Sequence, residues 1–121
     1  MLAVGVLAAL ALAACGSTAT PTPTTSTTAL GSVRQQECTL AGGVLANGPD
    51  PDADPVGYAD AQVLPLRQLQ VDDAQLHRAV LQLAAAYQSY SAASRQAGPA
   101  AAVQVSKSEA AVNAICPGVA N

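Results

Sequence analysis

Few side chains of this chain can do more than pack. They are three cysteines, one histidine and a short run of aspartates. Cys15, Cys38 and Cys116 are the strong nucleophiles, because the reactive form of a thiol is its thiolate. His77 is the single imidazole. Asp73 stands four residues before it, the spacing of an ion pair on a helix surface. Zinc takes at least three protein ligands, so one His and one Asp make a poor metal site. A Ser-His-Asp nucleophile would also need His77, and no G-x-S-x-G elbow is present. Asp50, Asp52 and Asp54 alternate in P-D-P-D-A-D-P, like the opening of a calcium loop. Such a loop needs Gly at position 6 and Glu at position 12, where Pro55 and Ala61 stand. A solvated, proline-stiffened loop is the better reading, with weak cation binding as the lesser one. Gly42-Gly43 lacks the Lys and the spacing of a phosphate-binding loop. The expectation is a chain without catalytic residues, metal or cofactor.

The elements around these residues are helical. Val71-Asp72-Asp73-Ala74-Gln75-Leu76 combines several start signals: Asp72 as cap, Gln75 as its partner, and Val71 with Leu76 as a hydrophobic staple. Leu76, Val80, Leu83, Tyr87 and Tyr90 then follow at spacings of 4, 3, 4 and 3, one face of a helix. Gly98-Pro99 stops it, which predicts a helix from about Asp73 to Gln96. A second helix should end near Cys116 before Pro117-Gly118. Its start is either Ser106 as cap with Glu109 as partner, or earlier at Pro99, which suits a first helical position. A third should begin at Val33 after Ser32, carry Cys38, Leu40 and Val44, and loosen at Gly42-Gly43 and Asn47-Gly48. Leu64–Leu69 reads as a further turn started by Pro65. No alternating run rich in β-branched residues reads as a strand.

The predicted fold is all-α: a hairpin of the long central helix and the C-terminal helix, joined by the N-terminal helix into a small three-helix assembly. The chain has 121 residues, enough for one domain, and Ala forms the largest part of its hydrophobic half. There is no Phe or Trp, so the core must come from Leu, Val, Ile and the aromatics Tyr58, Tyr87 and Tyr90. The seam Leu76, Val80, Leu83, Tyr87 and Tyr90 reads first as core and second as a ligand groove, with the hydroxyls of Tyr87 and Tyr90 at its rim. The net charge is −3 with five scattered basic residues, which is no footprint for nucleic acid. Arg67, Arg78, Arg95 and the glutamines of the outer faces fit either a solvated or a partner-facing surface.

The N-terminus has a different character. Met1–Ala14 is uncharged and apolar. It is too short for a membrane span, which takes about 20 residues, and suits the apolar region of a signal peptide. It closes on Leu12-Ala13-Ala14-Cys15, and Ser17–Thr28 then holds almost nothing but Thr, Ser and Pro. L-A-A-C in this position resembles the lipobox of bacterial lipoproteins. The resemblance implies that the Cys15 thiol receives a diacylglyceryl group, that a peptidase cuts before Cys15, and that the lipid (palmitate among its acyl chains) holds the mature chain on the membrane. Two acyl chains or more suffice for stable anchoring. The family's signal peptides open on Lys or Arg, and none precedes Leu2. A start inside a longer reading frame would account for that departure. The Thr/Pro stretch cannot bury apolar surface and is expected to be a disordered tether of roughly 20–50 Å. It serves as a spacer or as an O-glycosylated stalk.

Export and lipidation of Cys15 leave Cys38 and Cys116 as an even pair in an oxidising compartment, which predicts a disulfide between them. Redox work usually shows a C-x-x-C pair, and none is present. The organisation expected is 1–14 signal peptide, 15–31 lipidated cysteine and tether, 32–121 helical domain. Together these features resemble the small surface lipoproteins of high-GC actinobacteria, mycobacteria in particular. The resemblance implies an address: the extracytoplasmic face of the cell membrane, with the membrane as partner through Cys15. The function expected is a non-catalytic interaction or accessory module with an envelope protein partner. A carrier or sensor of a small apolar ligand is the second reading, and an enzyme or enzyme inhibitor the third.

Overall fold

A computed structural model describes residues 24–93 and 98–120, with side-chain burial from residue 31 onward. The lipobox at Leu12–Cys15, the signal peptide, the first part of the tether and Arg95 lie outside the described residues. Among the described residues there are four helices and no strand: α1 Thr24–Leu45, α2 Pro55–Gln68, α3 Ala74–Ala92 and α4 Pro99–Ile115. The all-α expectation holds, and α2 raises the number of helices from three to four.

α3 lies at the centre, packed along α2 on one side and α4 on the other. Its cap is Asp73, one residue later than the sequence suggested: Asp73 Oδ1 accepts from the backbone N–H of Gln75 at 3.0 Å and of Leu76 at 2.9 Å. Asp72 is not the cap; its own N–H is held by Glu37 of α1. Leu76, Ala79, Val80, Leu83, Ala84, Ala86 and Tyr87 are buried, a stripe wide enough to face two neighbours at once. The alanines within it let those neighbours approach closely, which is how a chain without Phe or Trp fills its interior.

α2 was expected only as a loop and a short turn. Asp54 accepts from the N–H of Gly57 at 2.9 Å, and Pro55 takes the first turn, where its missing N–H costs nothing. Ala59, Gln62 and Leu66 then point inward at helical spacing. Pro65 lies inside this helix on an exposed position. Its ring removes one hydrogen bond, and burial of Leu66 beside it compensates.

α4 takes the earlier of its two predicted starts. Pro99 is in its first turn, so Ser106 lies within the helix and not at a cap. Past Cys116 the chain turns through Gly118, at φ 78°, and folds back, with Ala120 N–H donating to Asn113 Oδ1 at 2.9 Å.

α1 begins at Thr24, inside the segment expected to be tether. Extending a formed helix adds one hydrogen bond per residue, whereas nucleation is the costly step. Gly42-Gly43 does not end it, because each glycine costs only about 1 kcal/mol against Ala. Ala41 and Leu45 on either side are buried. The predicted disulfide is formed: Cys38 and Cys116 are bridged, with Cα atoms 5.4 Å apart. Polar contacts add to it. Arg34 Nε donates to Asp73 Oδ2 at 2.9 Å, and the buried Glu37 carboxylate accepts from the N–H groups of Asp72 at 2.6 Å and Asp73 at 3.3 Å. Tyr58 donates its hydroxyl to the Leu45 carbonyl at 2.7 Å.

Candidate functional site

The five residues of the predicted groove divide into two groups. Leu76, Val80 and Leu83 are closed into the core and take no part in the tyrosine-lined cavity. Tyr87 and Tyr90, one and two turns further along α3, border a cavity of about 190 Å³ between α2, α3 and α4. Across it stand Tyr58 from α2 and Glu109 from α4, with Pro51 from the Asp/Pro loop and Pro55 from the first turn of α2. Ala102, Val105 and Ser106 of α4 complete the wall. The three aromatic residues of the chain therefore meet at one place.

Ring packing and partly buried hydrogen bonds fix Tyr58 and Tyr87. The Tyr58 and Tyr87 rings meet edge to face, with centroids 5.8 Å apart and planes at 86°. Tyr87 donates its hydroxyl to Glu109 Oε1 at 2.9 Å. That hydroxyl was expected at the groove rim; Tyr87 is buried, and its hydroxyl points to the carboxylate instead. Burial raises the pKa of Tyr87 well above the ordinary phenol value, and the nearby Glu109 charge raises it further. Tyr58 is also raised, first by burial. Both phenols stay neutral donors across the physiological range. Spacing along α3 pointed to Tyr87 and Tyr90. Tyr58 and Glu109 arrive from other helices, and no local pattern marks them.

The other residues singled out from the sequence have structural places. His77 is exposed on α3. The Asp73 carboxylate expected to pair with it is engaged by Arg34 and by the first turn of α3. Those contacts lower the Asp73 pKa, the Leu76 N–H contributing most and Arg34 next. In the Asp/Pro loop, Asp50 accepts from the Asp52 N–H at 2.9 Å and Asp54 caps α2, so two of the three aspartates shape the backbone. No group of three or more His, Cys, Asp or Glu among the described residues could hold a metal ion. A wider, open groove of about 670 Å³ runs between α1 and the C-terminal turn, with the disulfide and Arg34, Thr39 and Val119 along it.

None of the described helices is long and apolar enough to cross a membrane. No protein-family model matches this chain, and no curated protein and no solved structure is detectably similar to it.

Proposed function

We propose that this chain is a lipoprotein of the bacterial cell envelope, tethered through Cys15 to the extracytoplasmic face of the membrane, whose helical domain is a non-catalytic interaction module. The observation that carries the reading is Leu12-Ala13-Ala14-Cys15, which closes an uncharged apolar run and precedes a Thr/Pro-rich stretch. The Cys38–Cys116 bridge supports it, because disulfides persist in oxidising compartments outside the cytoplasm. Leu40 on α1, Leu64 on α2 and Val103 on α4 support the interaction half: they are large apolar side chains left half or more exposed.

The test is metabolic labelling of the full chain in a mycobacterial host with an alkyne-tagged palmitate analogue. The chain should carry the label and sediment with membranes, and Cys15→Ser should lose both properties. An unlabelled chain, or a label that survives Cys15→Ser, overturns the anchor. A photo-crosslinker placed at Leu40 or Leu64 in the intact envelope should trap a discrete partner, lost on Leu40→Asp or Leu64→Asp. Absence of any product at either position overturns the interaction half. A carrier or sensor of a small ligand is the second reading, favoured by the tyrosine-lined cavity. At about 190 Å³ that cavity lies below the roughly 300–1,000 Å³ of drug-sized pockets, so it admits only a small group.

A further inference from the structure

We propose that the cavity bounded by Tyr58, Tyr87, Tyr90 and Glu109 binds a small organic cation of the quaternary or methylated ammonium class. The inference stands apart from the membrane anchor, since it rests on folded residues alone.

Four observations carry it. First, all three aromatic rings of the chain border one cavity, and two of them meet almost at right angles. Ring faces within about 6 Å of a cation attract it through their quadrupole, and clustered rings are the usual recognition device for methylated ammonium groups. Second, the hydroxyls of Tyr58 and Tyr87 are already committed as donors, to the Leu45 carbonyl and to Glu109. The rings, rather than these hydroxyl protons, are left for a ligand, which disfavours an anion or a sugar. Third, the charge at the wall is negative. Glu109 borders the cavity with no Lys or Arg among the described lining residues, and the loop that carries Pro51 and leads into Pro55 holds Asp50, Asp52 and Asp54. Fourth, the volume of about 190 Å³ suits a head group and not an acyl chain. A quaternary ammonium cannot donate an N–H hydrogen bond, so it asks of the site what these residues offer: aromatic rings and the negative charge of the Glu109 carboxylate.

Choline and its neutral isostere 3,3-dimethylbutan-1-ol separate charge from shape. Both are titrated into the full, disulfide-bonded chain, with ring resonances of Tyr58, Tyr87 and Tyr90 as the readout. Choline should bind saturably, move all three ring signals, and bind about tenfold more tightly than the isostere. Glu109→Gln, which keeps an acceptor for the Tyr87 hydroxyl, and Tyr90→Leu, at a half-buried position, should each weaken choline about fivefold. Equal affinity for the isostere overturns the proposal in favour of an apolar ligand, and saturation by neither overturns it outright. These two outcomes need no variant, so the proposal stays testable if a substitution unfolds the chain. A soluble short-chain phosphatidylcholine, titrated in parallel, distinguishes the source among supporting results. Binding of choline alone points to a free solute, and binding of both points to a lipid headgroup.

Discussion

α3 buries an apolar stripe on two flanks, between α2 and α4, with a Tyr87–Glu109 hydrogen bond toward α4 and an Arg67–Gln88 hydrogen bond toward α2 at its edges. α1 is attached in another way. It leaves Val33 and Leu40 exposed and, of its described apolar side chains, buries only Ala41 and Leu45 beside Cys38; the rest of its attachment is a disulfide, a buried carboxylate on two backbone N–H groups, an arginine on Asp73 and a tyrosine hydroxyl. Apolar packing is indifferent to small rotations, whereas a bridge and short hydrogen bonds fix direction. The bundle is therefore expected to keep its fold when α1 is released, and α1 is expected to lose its place when any one of its few attachments is cut.

The largest effect should come from the bridge. Replacing Cys38 and Cys116 together by Ser removes a constraint across a sequence separation of 78 residues. In the chain-entropy treatment this costs about 4–5 kcal/mol. Urea unfolding measures the total, and hydrogen exchange locates it. Amides of 32–45 should lose most of their protection while α3 keeps more of its own. If α1 and α3 lose protection together, the distinction between the two regions is broken. Leu83→Ala, at a fully buried position, should cost about 3 kcal/mol and lower the protection of α2, α3 and α4 alike.

These two sites also show what could be read without coordinates. α3 was legible because start signals and a spacing of 3 and 4 agree over one continuous stretch, although its cap is Asp73 rather than Asp72 and it ends at Ala92 rather than near Gln96. The bridge was legible from cysteine arithmetic joined to the expectation that the chain is exported. α2 was missed because Pro51 and Pro55 read as parts of a stiffened loop and Pro65 as the start of a separate short turn. Asp54-Pro55 is nevertheless a helix-start pair, a signal present in the sequence and outweighed by the prolines around it. Glu37 had no local mark, since its partners are backbone groups 35 and 36 residues away. The tyrosine cavity was half legible: period along α3 gave Tyr87 and Tyr90, but nothing local joins them to Tyr58 and Glu109.

Smaller perturbations sharpen the contrast. Glu37→Ala strips two N–H groups of their acceptor and should cost about 1–3 kcal/mol, read as a lower urea midpoint with exchange rising first in α1. Gly43→Ala should stabilise by about 0.5–1 kcal/mol, because a Cβ there meets nothing within 4 Å and the helix gains a better former. A loss of stability at Gly43→Ala would mean that α1 is seated more tightly than its contacts imply. The smallest effect is on pH. The folded state holds the Asp73 pKa below its ordinary 3.8, so the stabilisation is present above that value and fades as the pH falls through it and below. Asp73→Asn should flatten the acid limb of a melting-temperature profile, and an unchanged acid limb would show that neither the Leu76 N–H nor Arg34 favours the ionised carboxylate.

The place of the bridge also has a mechanical consequence. Tension entering from the N-terminal side meets Cys38 first, and through it Cys116, so the load is shared with the far end of the chain before it reaches α2 or α3. Everything between the two cysteines is a closed ring that a pull cannot extend end to end. Among the described residues before the bridge, Thr24–Cys38 is the segment that can unravel, once the Arg34 and Glu37 contacts give way. A helix rises about 1.5 Å per residue and an extended chain about 3.5 Å, so this segment can lengthen by roughly 30 Å while the tyrosine cavity stays shaped. The first half of α1 is thus a spring in series with a clasp.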